Sequence, residues 1–220
     1  MEINNLGDLP AFVLGSAKTL VELGGSVVAV QLTISVIGLA MVFYKVLQFT
    51  TVTGGRFDAV RKAIDRWSAG DHEQATKALD RSWLRIAKDV RFGLERLGTA
   101  DREILRDELA RRGMQFLRPY GMLLRTLELV YYLSPVLGLL GTVIGMIDAF
   151  QGLAAVAGTE KGSSALANGI WQALVCTAVG LVIAIVFTTL HAMLQTRLER
   201  ISEEVSDILT RVLTIDVHRG

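Results

Sequence analysis

The sequence predicts an all-α integral membrane protein with three transmembrane helices and long cytoplasmic helical extensions. Two observations carry this. First, residues 23–44 and 162–196 hold no charged side chain, and residues 129–159 hold one, Asp148. Each stretch reaches the roughly 20 apolar residues that a helix needs to cross a bilayer core. Second, the composition is 51% hydrophobic and only 20% charged, with a mean hydropathy of +0.41. That is too apolar for a chain that must cover a soluble core with polar surface, and it excludes disordered and collagen-like chains. Glycine is abundant, at 21 against 3 prolines, as in closely packed membrane helices.

The elements follow in order. Residues 1–23 form a periplasmic N-terminal segment. The opening MEINNLGDLP is acidic and lacks the basic start of a secretion signal, so residues 24–46 read as an uncleaved first membrane helix. A cytoplasmic helical domain over 47–129 comes next. Phe57, Val60, Ile64 and Trp67 share one helical face. Gly70-Asp71 interrupts. A helix over 72–97 then carries Leu79, Trp83, Ile86, Val90, Leu94 and Leu97 at spacings of three and four. Gly98-Thr99 breaks again, with Thr99 as N-cap. A third run, from Leu105 to Leu127, continues into membrane helix two over 130–153, with Pro119 as its expected kink. A short periplasmic loop spans 154–166, membrane helix three 167–192, and a cytoplasmic C-terminal helix 193–220. In that tail Leu198, Ile201, Val205, Ile208, Leu209 and Val212 keep a helical spacing.

Basic residues orient the chain. Residues 45–126 hold seventeen Lys and Arg, residues 1–44 hold Lys18 alone, and 152–166 hold Lys161 alone. Basic loops stay in the cytoplasm. The N-terminus is therefore expected outside and the C-terminus inside.

The chemistry is sparse. There is no P-loop, no H-E-x-x-H, no C-x-x-C and no G-x-S-x-G. His72, His191 and His218 lie far apart. One cysteine, Cys176, excludes an internal disulfide. No enzyme activity, cofactor or metal is expected, and a formal charge of +1 gives no reason for nucleic-acid binding. The informative residues are small or polar ones inside the membrane helices. Gly138, Gly141 and Gly145 line one face of helix two; Ala173, Thr177, Gly180 and Ala184 line one face of helix three. Small residues let helix backbones approach closely in lipid. Thr142 and Thr177 each lie about eleven or twelve residues from the outer helix end, at similar depth. Two readings stand for each: a hydroxyl bonded to its own helix, or a polar step on an ion path. Asp148, toward the outer end of helix two, is either an interfacial carboxylate or an outer-mouth cation site. The chain has no acid near the level of the threonines, and a hydroxyl cannot hold a charge at neutral pH. Ion conduction therefore requires a carboxylate from another chain.

Two segments carry a resemblance. S-P-V-L-G-L-L-G-T-V-I-G-M-I-D-A-F (134–150) and A-N-G-I-W-Q-A-L-V-C-T-A-V-G-L-V-I-A-I (167–185) resemble the signatures of the ExbB/TolQ/MotA proton-channel family. The resemblance is closest to the ExbB/TolQ branch, since the MotA branch has four membrane helices. It implies a homo-oligomeric ring, a pentamer, in the bacterial inner membrane. It also implies an ExbD/TolR-like single-span partner, present as a dimer inside the ring, and a TonB/TolA-like or other envelope effector. Ion flow, of protons by this resemblance, would drive motion of ring against axle. Thr142 and Thr177 match the family's pore-facing threonines. This sequence departs from the family pattern at Gln172, where Glu is usual, at Asn168, where Pro is usual, and at Ile185-Val186, where an I-P step is usual. The missing carboxylate makes Asp148 and Gln172 the candidates for an outer vestibule. Two other readings compete: a non-conducting scaffold that holds a partner helix, and a permease. A permease would show an internal repeat or a broken mid-membrane helix, and neither is visible in the sequence.

Overall fold

The computed structural model describes residues 9–50, 52, 56–155 and 160–215. All the regular structure among them is helical: α1 (Leu9–Thr50), α2 (Arg56–Ser68), α3 (His72–Asp80), α4 (Ile86–Arg96), α5 (Arg102–Ala155) and α6 (Glu160–Thr214). Three helices, α1, α5 and α6, are long and apolar enough to cross a membrane. The chain divides into two compact units. Met1–Val42 and Thr126–His191 make one, Phe43–Arg125 and Ala192–Gly220 the other. We call them the membrane unit and the basic unit.

In the membrane unit, α1 begins at Leu9, so much of the expected N-terminal segment is helical. Gly25 interrupts it with φ 67° and ψ −158°, a conformation open essentially to glycine alone. The expected loop over 154–166 is largely helical too. α5 runs to Ala155 and α6 starts at Glu160, and 156–159 lie outside the described residues.

In the basic unit, the faces read from the sequence are the buried ones. Phe57, Val60, Ile64, Ile86, Val90, Leu94, Leu105, Leu109, Ile201, Val205, Ile208 and Val212 all enter the core. The expected 72–97 helix is two helices. Asp71 caps α3 by accepting from the Gln74 amide at 3.2 Å, and the chain leaves helix over 81–85. That break buries Leu84 and leaves Trp83 97% exposed. A helical face containing Trp83 is thus wrong, because period alone does not show where a short link resets the register. Asp101, not Thr99, opens α5: its carboxylate accepts from the Glu103 amide at 2.8 Å, while the Thr99 hydroxyl donates back to the Arg96 carbonyl. Helix continues through Pro119. Beside it the buried Lys45 ammonium donates to the Pro119 and Tyr120 carbonyls at 3.1 and 2.8 Å and to the Gln48 amide oxygen at 2.8 Å.

Ion pairs tie the basic unit together. Arg61 on α2 reaches Glu204 and Asp207 on α6 at 2.5 and 3.3 Å. Arg112 on α5 reaches Asp89 on α4 at 3.1 Å and stacks its guanidinium over Phe92 at 3.8 Å. Arg111 and Arg112 both donate to Glu108. These bonds hold its carboxyl at about 2, below the ordinary 4.5.

Candidate functional site

The site lies in the membrane unit, where α5 and α6 meet on glycine. A Cβ on Gly138 would stand 3.1 Å from both the Cys176 carbonyl oxygen and the Thr177 Cα. One on Gly180 would stand 2.5 Å from the Ser134 carbonyl oxygen, and one on Gly141 2.6 Å from the Cys176 Cβ. One on Gly145 would stand 3.1 Å from the Ala173 Cβ. All four glycines singled out from the sequence therefore sit at the close α5–α6 seam: a Cβ on Gly141 or Gly180 would overlap its neighbours, and one on Gly138 or Gly145 would press on them. Gly169, on the same seam, was not singled out; its position would press on Ala149 and the Gly145 carbonyl. α1 closes the third side. The Cys176 thiol is buried and donates to the Gly24 carbonyl at 3.1 Å, and Gly38 receives the Phe187 ring.

The two threonines are set differently. The Thr177 hydroxyl crosses the seam and donates to the Gly138 carbonyl at 3.2 Å. The Thr142 hydroxyl donates to its own helix, at the Leu139 carbonyl, at 2.6 Å. Thr177 is thus opposite Gly138, and Thr142 stands four residues further along α5, about 6 Å along the helix axis. Thr142 also borders an open face of α5 with Val143, Met146, Ile147 and Phe150. Val143, Ile147 and Phe150 are each at least half exposed.

The vestibule candidates have different surroundings. The Gln172 side chain packs onto the Gly25 backbone, in the place a Cβ would take. Asp148 is exposed and has no ion pair among the described residues.

One polar residue was missed from the sequence. Gln31, on α1, is fully buried. Its amide nitrogen lies 3.3 Å from the Ser134 carbonyl oxygen on α5 and 3.3 Å from that of Cys176 on α6. The signal was available: Gln31 is the one amide side chain between Glu22 and Lys45, and polar groups in apolar helices bond across to neighbours. His191 meets the Tyr131 ring at 5.4 Å, far in sequence from the other histidines. No cluster of metal-ligating side chains occurs among the described residues.

This seam can pack helices tightly and hold one half-buried hydroxyl, Thr177, bonded across it, and one, Thr142, at an open apolar face. It presents no nucleophile–base pair and no charged group of its own.

Known proteins share this arrangement of sequence. The chain is 48% identical over 62 residues to "Biopolymer transport protein exbB1" of Vibrio cholerae, covering 28% of this chain and 27% of that protein. It is 37% identical over 76 residues to "Putative biopolymer transport protein ExbB homolog" of Methanothermobacter thermautotrophicus, covering 34% and 26%. It is 37% identical over 103 residues to "Putative biopolymer transport protein ExbB-like 1" of Synechocystis, covering 46% and 35%. The matched stretches span only about a quarter to a third of these relatives. A longer match takes in residues 69–207, from the start of the α2–α3 link through the glycine seam to the last turns of α6. On that match, the chain belongs to the MotA/TolQ/ExbB proton channel family.

Proposed function

We propose that the chain is the ring-forming subunit of a proton-driven motor in the bacterial inner membrane. The observation that carries this is the open α5 face beside the closed seam. Val143, Ile147 and Phe150 are exposed, apolar and unpartnered within one chain, and Thr142 stands among them. In a ring of copies, five by the resemblance, such faces suit the lining of a lumen that receives apolar partner helices. The partner is an ExbD/TolR-like single-span chain, present as a dimer, and work passes to a TonB/TolA-like or other envelope effector. The N-terminus is periplasmic, the C-terminus cytoplasmic.

The mechanism follows from what the hydroxyls can do. Thr142 and Thr177 relay hydrogen bonds but hold no charge. The titrating step therefore belongs to a carboxylate on the partner. A potential of about 150 mV supplies roughly 3.5 kcal/mol per proton, enough for a modest conformational step. Asp148 concentrates cations at the outer mouth. Gln172, uncharged and seated on Gly25, serves there by packing and by ordering water.

A second reading has one observation on its side. Because the Thr142 hydroxyl is already bonded within its own helix, the same face suits a scaffold that holds a partner helix without ion flow. Proton flux into vesicles that hold both chains separates the two. Flux in the wild type, cut strongly by Thr142→Val and by Thr177→Val and partially by Asp148→Asn, supports the motor. Wild-type flux in both threonine variants removes the threonines from the path, and a silent wild type favours the scaffold.

A further inference from the structure

We propose that Gln31 is a positioning residue for the ion path: its side-chain amide pins two carbonyls, one from each side of the α5–α6 seam, and so fixes the Thr177 hydroxyl in place. The inference rests on the reading of Thr177 as part of an ion path.

The geometry is specific. An amide nitrogen has two hydrogens, and here each meets a carbonyl on a different helix, Ser134 and Cys176, both at 3.3 Å. The Ser134 carbonyl lies one turn before Gly138, which accepts the Thr177 hydroxyl at 3.2 Å. The Cys176 carbonyl belongs to the peptide group that leads into Thr177. The two pinned carbonyls thus flank the Thr177–Gly138 bond. A Cβ at Gly180 would stand 2.8 Å from the Gln31 nitrogen, so the amide is held from that side as well. The orientation is decided by chemistry, because an amide oxygen turned toward two carbonyl oxygens would repel both.

The other end of the side chain shows why packing alone does not explain it. The Gln31 amide oxygen is buried and has no partner among the described residues. A buried unmet acceptor costs stability, and an apolar side chain of the same size avoids that cost. A residue kept in spite of such a cost is expected where its donors serve function.

The test compares Gln31→Leu and Gln31→Glu, each with the partner in vesicles. Leucine keeps the volume, removes both donors and removes the unmet acceptor. The subunits should assemble as before, with proton flux reduced roughly tenfold by the loosened hydroxyl. Glutamic acid donates one hydrogen when protonated and none when ionised. Gln31→Glu flux, divided by wild-type flux at the same pH, should be partly restored in acid and fall as pH rises. The segments packed on Gln31, 134–141 and 173–180, present one titratable group, the Cys176 thiol, which already donates to Gly24.

A second readout needs neither partner nor flux. Cys176 is the single cysteine, so cysteine labelled with carbon-13 at its carbonyl marks one peptide group. Its infrared stretch should rise in Gln31→Leu as a hydrogen bond is lost. An unmoved stretch, wild-type flux in the leucine variant, or a flat Gln31→Glu ratio would each overturn the proposal. A silent wild type whose stretch still shifts would overturn the ion-path reading and leave the pin as a packing contact. If Gln31→Leu does not fold, the pH ratio within folded Gln31→Glu decides alone.

Discussion

Gly180 illustrates how little room the seam leaves. Alanine there would bring a Cβ to 2.5 Å from the Ser134 carbonyl oxygen and 2.8 Å from the Gln31 amide. The first of these atoms is backbone and cannot rotate away. Gly180→Ala should therefore push α5 from α6 and cost about 1–3 kcal/mol, as overpacking of a close-packed interior does. Thermal unfolding in detergent measures it, and a melt equal to wild type would show that the seam relaxes freely. Gly70 is the useful contrast. Its φ is positive, at 88°, where Gly180 is ordinary helix, and open space surrounds its missing side chain, so alanine there meets backbone strain without a clash. The two threonines differ in the same physical way. Thr177→Val deletes a bond between helices, Thr142→Val one within a helix. The first should lower both flux and thermal stability, the second flux alone.

Among the helices, α5 carries a dependence on pH. The Arg111 and Arg112 guanidiniums hold Glu108 at about 2, down from 4.5. A carboxyl lowered by folding stabilises the fold above its unfolded value and ceases to do so as it is protonated. The contribution is present above about pH 4.5 and is lost as pH falls from there through about 2. Helicity followed by circular dichroism from pH 5 to pH 2 should show the basic unit losing stability over that window. In Glu108→Gln the loss should be smaller, and the two proteins should converge near pH 2. Equal acid sensitivity throughout the window would mean that the exposed pair with Arg111 contributes nothing measurable, as many surface ion pairs do not.

Taken together, the helices leave apolar surface that one copy does not cover. Leu139, Val143, Ile147 and Phe150 on α5 and Val36, Leu39 and Phe43 on α1 are all exposed. Lipid accounts for some of this surface. On the function proposed above, neighbouring copies and a partner cover the α5 face. The purified protein should therefore form a closed ring, of five subunits by the family resemblance, without its partner. Native mass spectrometry in mild detergent counts the subunits. A monomer or dimer across detergents would sink the ring.

Much of this was legible in the linear chain, because it depends on terms that act locally. The stretches with no charge or a single one mark α1, α5 and α6, since lipid disfavours charge whatever the neighbours are. The spacing of Val60, Ile64, Val90, Leu94, Val205 and Ile208 marks the buried faces of α2, α4 and the end of α6, since a helix repeats every 3.6 residues in any context. Gly138, Gly141, Gly145 and Gly180 mark a close approach, since a missing side chain has few other uses in a membrane helix. What was not legible depends on which chain segments meet. Nothing local shows that the Thr177 hydroxyl finds Gly138 while the Thr142 hydroxyl turns back to Leu139, because both threonines have the same local choice. The exposure of Trp83 follows from a five-residue link that buries Leu84 instead. The fit of Gln172 onto Gly25 follows from a break in another helix. Gln31 is the clearest case. Its position in an apolar run announces only that an amide is buried. That both of its hydrogens meet carbonyls 103 and 145 residues away is decided by three helices packing together, since a hydrogen bond depends on distance and direction in space and not on separation along the chain.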